Sequence, residues 1–212
     1  MLQTAEPVST TKSFDRIRRL QKPLSKEEAV NATIKDIKKG GFLEFQGTTY
    51  EVISVGLYTE TNKDYSQKKK FFSVELELVD VMSGKTLWME WEEDDEVEIC
   101  VSQSRHSLRE VRNEDGDVIS DPWDYTDEGE CLVFQGISYW YDDDWPSVYK
   151  REGQDDEDKV YMHDFESENG TCLSIEKWID DDDTCEFQVY VSKNVRASEI
   201  QILQIGDQNG GQ

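Results

Sequence analysis

Leu132-Val133-Phe134-Gln135-Gly136-Ile137-Ser138-Tyr139 repeats Leu43-Glu44-Phe45-Gln46-Gly47-Thr48-Thr49-Tyr50, 89 residues earlier. Both copies read Leu-x-Phe-Gln-Gly-x-x-Tyr: a strand, a tight turn at glycine and the start of a second strand. The strands further on also align. Gly84-Lys85-Thr86-Leu87-Trp88-Met89-Glu90 matches Gly170-Thr171-Cys172-Leu173-Ser174-Ile175-Glu176 at an offset of 86. Each is followed by a tryptophan, Trp91 or Trp178, and by an acidic turn, Glu92-Glu93-Asp94-Asp95-Glu96 or Asp180-Asp181-Asp182-Asp183. Val97-Glu98-Ile99-Cys100-Val101 then matches Phe187-Gln188-Val189-Tyr190-Val191. One match is cheap; a series in the same order points to a tandem duplication.

Between the repeats the texture is β. Phe72-Ser73-Val74-Glu75-Leu76-Glu77-Leu78 alternates apolar and polar residues strictly, as a half-buried antiparallel strand does. About five strands with short connections predict a small, strongly bent antiparallel sheet or barrel. The expected fold is therefore all-β, with two tandem small antiparallel β-barrel or sheet domains related by internal duplication. Residues 1–33 form a basic N-terminal arm with a short helix, and 34–104 the first β-domain. Residues 105–128 form a connector hairpin or linker, 129–205 the second β-domain, and 206–212 a disordered tail.

Net charge is −24 and unevenly spread: residues 1–40 carry +4 and residues 41–212 carry −28. A body of that sign repels nucleic acid and anionic membranes and attracts cations and basic partners. Six Trp, nine Tyr and eight Phe argue for a packed core rather than an acidic disordered chain. No apolar run is long enough to span a membrane, and no signal-peptide core precedes the fold, so the expected location is cytoplasmic. Cys100, Cys131, Cys172 and Cys185 are dispersed and read as reduced thiols, with no zinc-ligand spacing to His106 or His163.

In the arm, Phe14, Ile17 and Leu20 recur at threefold spacing in a basic segment, 14–22, that Pro23 interrupts. That predicts a short helix whose cationic residues, Arg16, Arg18 and Arg19, fold back onto the acidic body or dock on an acidic partner or membrane. Ser25 and Glu28 fit a capping box for a second short helix from Lys26 to about Ala32. Gly40-Gly41 then marks where the folded body begins.

The arrangement resembles the bacterial family known as domain of unknown function 4178. Phe134-Gln135-Gly136-Ile137-Ser138-Tyr139, Val160-Tyr161-Met162-His163-Asp164-Phe165 and Leu173-Ser174-Ile175-Glu176-Lys177-Trp178 carry most of the likeness. Tyr50-Glu51-Val52 and Leu87-Trp88-Met89-Glu90 extend it to the first copy, over roughly residues 35–205. The resemblance implies a pair of small β-barrel-like units and brings no catalytic residues.

For chemistry, the acidic clusters Asp142-Asp143-Asp144, Asp155-Asp156-Glu157-Asp158 and Asp180-Asp181-Asp182-Asp183 lack the spacing of a calcium loop and read first as solvated turns. Glu90 and Glu176 hold equivalent places in the repeats and would serve as an acid–base pair if they met. The blander expectation is that each points outward or pairs with a cation at a barrel rim. Neither a nucleophile motif nor a phosphate loop is present, so no enzymatic activity and no cofactor or metal are expected. Trp140, Asp142, Asp143, Asp144 and Trp145 place aromatic faces beside carboxylates, which suits an ammonium, a polyamine or a basic peptide. These five, with Arg16, Arg18 and Arg19, are the expected partner-binding residues. The leading functional expectation is a non-enzymatic acidic adaptor for a basic protein surface or peptide, or for a multi-subunit assembly. The alternatives are a nucleic-acid mimic that inhibits a DNA-binding protein, and a cation- or polyamine-binding protein.

Overall fold

The computed structural model describes residues 10–127, 129–180 and 184–206. Helices α1 Thr10–Ile17 and α2 Lys26–Asn31 come first, then strands β1 Phe42–Phe45, β2 Thr48–Thr61, β3 Lys68–Asp80 and β4 Thr86–Glu93. They are followed by β5 Val97–His106, β6 Arg112–Asn113, β7 Cys131–Phe134, β8 Ile137–Arg151, β9 Asp158–Glu166, β10 Thr171–Ile179, β11 Cys185–Asn194 and β12 Ile200–Gln204. The all-β class holds. No described helix is long and apolar enough to cross a membrane.

Both hairpins of the repeat form. Phe45 pairs with Thr48, and Phe134 with Ile137, so each loop is the dipeptide Gln-Gly. Gln46 and Gly47 have φ of 50° and 75°, and Gln135 and Gly136 have 50° and 81°. Two successive residues at positive φ make the turn whose twist matches that of the flanking strands, which is why glycine recurs. Phe45, Phe134 and Tyr139 are buried, and Tyr50 is half-buried.

The chain divides into two compact units, one of Met1–Val55, Leu76–Leu87 and Arg196–Gln212, the other of Gly56–Glu75 and Trp88–Val195. In the first, β12, β1, the start of β2 and the end of β3 are neighbours in that order. Phe42, Leu43, Val52, Leu76, Leu78 and Ile202 are buried there. The α2 capping box forms in both directions, Ser25 Oγ accepting from Glu28 N and Glu28 Oε2 from Ser25 N. α1 starts and ends earlier than the 14–22 expected, because tight turns at Arg19 and Leu20 follow it before Pro23. The arm folds back: Ser13 Oγ donates to the Met82 carbonyl at 2.9 Å, and Arg19 Nη2 to Glu51 Oε2 at 2.7 Å.

In the second unit, β2, β3, β4, β5, β11, β10, β9 and β8 follow one another, and β2 pairs with β8 to close an antiparallel eight-strand barrel. The expectation of two separate small barrels gives way to this one. A four-strand meander leaves two edges of unpaired backbone groups. Pairing β5 with β11 and β2 with β8 satisfies all four edges at once.

The hydrophobic core of this unit lies on the outer face of the barrel wall. Phe165 of β9, Leu173 and Ile175 of β10 and Val189 of β11 pack there. They meet Leu132, Phe134 and Tyr139 of the second hairpin, and Leu108, Val111 and Ile119 of the stretch read as a connector. The Asp115-Gly116 turn forms within that stretch, with Gly116 at φ 87° and Arg112 bridging Val118.

Closure depends on Gly56, which pairs with Arg151 where β2 meets β8. A Cβ at this position would sit 2.3 Å from the Tyr149 ring. Tyr149 itself stacks on Tyr58 with ring centroids 4.6 Å apart. Gly56→Ala should therefore cost about 1–3 kcal/mol through overpacking. Thermal unfolding followed by circular dichroism should show Tm falling by about 2–4 °C per kcal/mol.

Candidate binding site

Alternation along the barrel strands sends one set of side chains outward into the core just described and the other into the lumen. On β10 the inward set is Cys172, Ser174 and Glu176, on β3 Phe71, Ser73 and Glu75, and on β4 Trp88, Glu90 and Glu92. Cys100 and Ser102 of β5, Tyr190 and Ser192 of β11 and Met162 and Asp164 of β9 complete most of the wall. They enclose a cavity of about 510 Å³, which leads to a recess of about 30 Å³ lined by Glu75, Trp88, Ser102, Glu176 and Tyr190. Glu90, Cys100, Met162, Ser174 and Ser192 line both spaces. Lys, Arg and His are absent from the described residues that line either space.

Glu90, Asp164 and Glu176 accept hydrogen bonds from neutral donors. Ser73 Oγ donates to Glu90 Oε1 at 2.5 Å. Asp164 accepts from Ser174 Oγ at 2.6 Å and from Trp145 Nε1 at 3.3 Å. Glu176 accepts from Tyr58 Oη at 3.0 Å and from Trp178 Nε1 at 2.8 Å. Tyr149 Oη donates to Glu75 at 3.0 Å. Tyr58, Tyr149, Val160 and Met162 form a second small core with Trp145 and Trp178 against it. Arg105 donates to Tyr190 Oη at 2.9 Å and lies over the Trp88 and Tyr190 rings, so its charge is engaged at the wall.

Withdrawal from water and mutual repulsion hold protons on these acids. Burial, with the charges of Glu75, Asp164 and Glu92 adding to it against the Ser73 hydrogen bond, pushes Glu90 up to about 7. Burial pushes Asp164 up to about 6, against the hydrogen bonds from Ser174 and Trp145. Burial, helped by Glu75 and Glu90, pushes Glu176 up to about 8. Burial and the Asp164 charge push the Cys172 thiol up to about 12, so it stays protonated and unreactive.

Of the residues singled out from sequence, Trp145 enters the lumen, its ring edge-on to Phe71 at 5.6 Å. Asp142 and Asp143 line the same cavity from exposed positions. The stretch 140–145 is strand rather than the loop expected. β8 pairs with β9 throughout it, with one register shift between Tyr141 and Asp143. That bulge lets two consecutive carboxylates share one side of the sheet, which a regular strand forbids. Asp144 points elsewhere and accepts hydrogen bonds from Tyr141 and Tyr161. Trp140 lies half-exposed on β8.

Arg16 and Arg19 engage the buried Glu51, and Arg18 pairs with Asp15 at 3.6 Å. Glu157 is paired with Lys68, while Asp181, Asp182 and Asp183 lie outside the described residues. No metal-holding group of three or more His, Cys, Asp or Glu occurs among the described residues. The expectation that Glu90 and Glu176 point outward is overturned: both face the lumen, close enough for the charge of one to raise the pKa of the other. Glu75 and Asp164 escaped the sequence reading altogether. Their signal was the polar half of an alternating strand, which the expectation of an apolar interior assigned to solvent.

The raised carboxyl values fix a direction for stability. The folded protein retains protons that the unfolded chain releases near pH 4, so this contribution is full below that range. It is lost as pH rises through about 6 to 8. His163, which burial holds neutral down to about 4, acts the other way only below its unfolded value near 6.5. Between pH 6.5 and 8.5 at fixed salt, Tm should therefore fall. Glu90→Gln, which keeps an acceptor for Ser73, should flatten that slope and melt higher than wild type at pH 8.5.

No curated protein matches the chain, and no solved structure does. A family model described as Domain of unknown function (DUF4178) matches residues 38–197, which takes in the whole barrel. By that match over most of its length, the chain belongs to the DUF4178 family.

Proposed function

We propose that the protein is a non-enzymatic binding protein that takes a small organic cation into the barrel lumen. One observation carries this reading: a cavity of about 510 Å³ lined by Glu90, Glu92, Glu98, Asp142, Asp143 and Asp164, with aromatic faces and no cationic side chain among its described lining residues. In such a space an anion meets only repulsion, and a neutral ligand leaves the charged carboxylates unpaired. An ammonium or guanidinium group meets carboxylate acceptors at one end and the faces of Trp145 and Phe71 at the other. At the lip, Glu60 is already paired with Lys69, so lip and interior are not equally free.

A second reading keeps the basic protein partner expected from sequence. It is favoured by the exposure of Trp140, Asp142 and Asp143 on one strand, where a partner's lysine side chain would enter the lumen. The same reading treats the barrel as two duplicated four-strand halves, supported by the repeated Leu-x-Phe-Gln-Gly-x-x-Tyr and by the pairing of β2 with β8 and β5 with β11.

Isothermal titration at pH 8 and low ionic strength, with butylamine, choline, arginine, butyrate and butanol as probes, decides between charge classes. The cations should bind and raise Tm, butyrate and butanol should not, and Asp164→Asn should weaken the cations about tenfold. Heat and Tm shift absent for every cation would overturn the reading.

A further inference from the structure

Resting on the cation-binding reading, we propose that the lumen is built for a linear diamine or polyamine, one ammonium in the inner recess and a second at the lip. The recess has room for one or two water-sized groups, so a primary ammonium fits where a guanidinium or a quaternary ammonium does not. Glu75, Glu90 and Glu176 surround it. An ammonium offers three N–H donors, so three carboxylates around one small space match its hydrogen-bonding capacity. These acids do not converge closely enough to hold a metal ion. Hydrogen bonds to an ammonium, at about 2.7–3.2 Å, tolerate the longer reach.

Strand register fixes the second site. Glu176 and Trp145 each pair with Met162, while Asp143 pairs with Asp164 two residues further along β9. Two residues of strand span about 7 Å. A spacer of about four methylenes covers that distance. The wall of the cavity also offers Met162, the Trp145 ring and the Cys100 and Cys172 thiols, the last kept neutral. An aliphatic spacer is accommodated there and a third charge is not required. The lip then supplies Asp142, Asp143 and Asp164 for the second ammonium. A monoamine satisfies one level and leaves the other's carboxylates facing each other.

The test is a titration series at pH 8 comparing 1,3- to 1,8-diamines and spermidine with n-alkylamines of matching length. Diamines near four carbons, and spermidine, should bind at least about tenfold tighter than the matched monoamine. The double variant Asp142→Asn/Asp143→Asn, whose side chains are exposed, should lower diamine affinity by a clearly larger factor than monoamine affinity, bringing the two classes together. Glu176→Gln, checked for wild-type circular dichroism, should weaken both classes; Glu75→Gln serves as a second recess variant should the first fail to fold. Equal affinity for monoamines and diamines, or a lip variant that weakens neither class, would overturn the two-level site while leaving cation binding standing. Binding of no amine at all would remove both readings.

Discussion

The closure of the barrel is the constraint on which the second unit depends. β2–β5 and β8–β11 each run as an antiparallel series with an open edge at either end. An open edge of barrel-strand length is a template for association with other chains. Pairing β2 with β8 and β5 with β11 removes every such edge and in doing so creates an interior. Gly56 permits the first seam because the Tyr149 ring occupies the space a side chain there would need. That ring also packs with Tyr58, Val160 and Met162, and its hydroxyl donates to Glu75, so one aromatic joins the seam, a small core and a lumen acid.

An interior of carboxylates is expensive, since each charged group taken from water costs several kcal/mol unless paired. Three arrangements offset the cost. The apolar burial that drives folding is moved outside the wall, where Leu173, Ile175, Val189 and Phe165 meet the second hairpin and the connector. Hydroxyl and indole donors, from Ser73, Ser174, Tyr58, Trp145 and Trp178, satisfy individual oxygens without adding charge. Protons held by Glu90, Asp164 and Glu176 lower the number of charges present near neutral pH.

Local features were legible in the sequence because they depend on local chemistry. The Gln-Gly turns, the Ser25 to Glu28 capping box, the Asp115-Gly116 turn and the alternation of 72–78 each form where a few neighbouring residues dictate them. Alternation has a period but no sign: it separates Leu173 and Ile175 from Ser174 and Glu176 without saying which pair faces inward. The usual choice of an apolar interior sent Glu90 and Glu176 to solvent. The β8 bulge was equally hidden, since Tyr141-Asp142-Asp143 carries no glycine to announce it. One barrel or two is likewise a question of edge pairing between residues about 90 apart, such as Thr59 with Val148, and no local pattern encodes it.

The choice of donors bears on what the lumen is for. A structural acidic cluster is ordinarily neutralised by the chain's own Lys or Arg, as Glu51 is by Arg19 in the first unit and Asp121 by Lys177 in the second. The lumen is treated differently. Arg105 is turned onto Trp88 and Tyr190 at the wall, and the described lining residues include no lysine. Bringing a lysine inside would have been the simpler route to stability, but it would fill the space and satisfy the acceptors permanently. Neutral donors and protons on Glu90, Asp164 and Glu176 lower their charge without filling the cavity. A proton can be exchanged for a visiting cation; a covalently attached ammonium cannot.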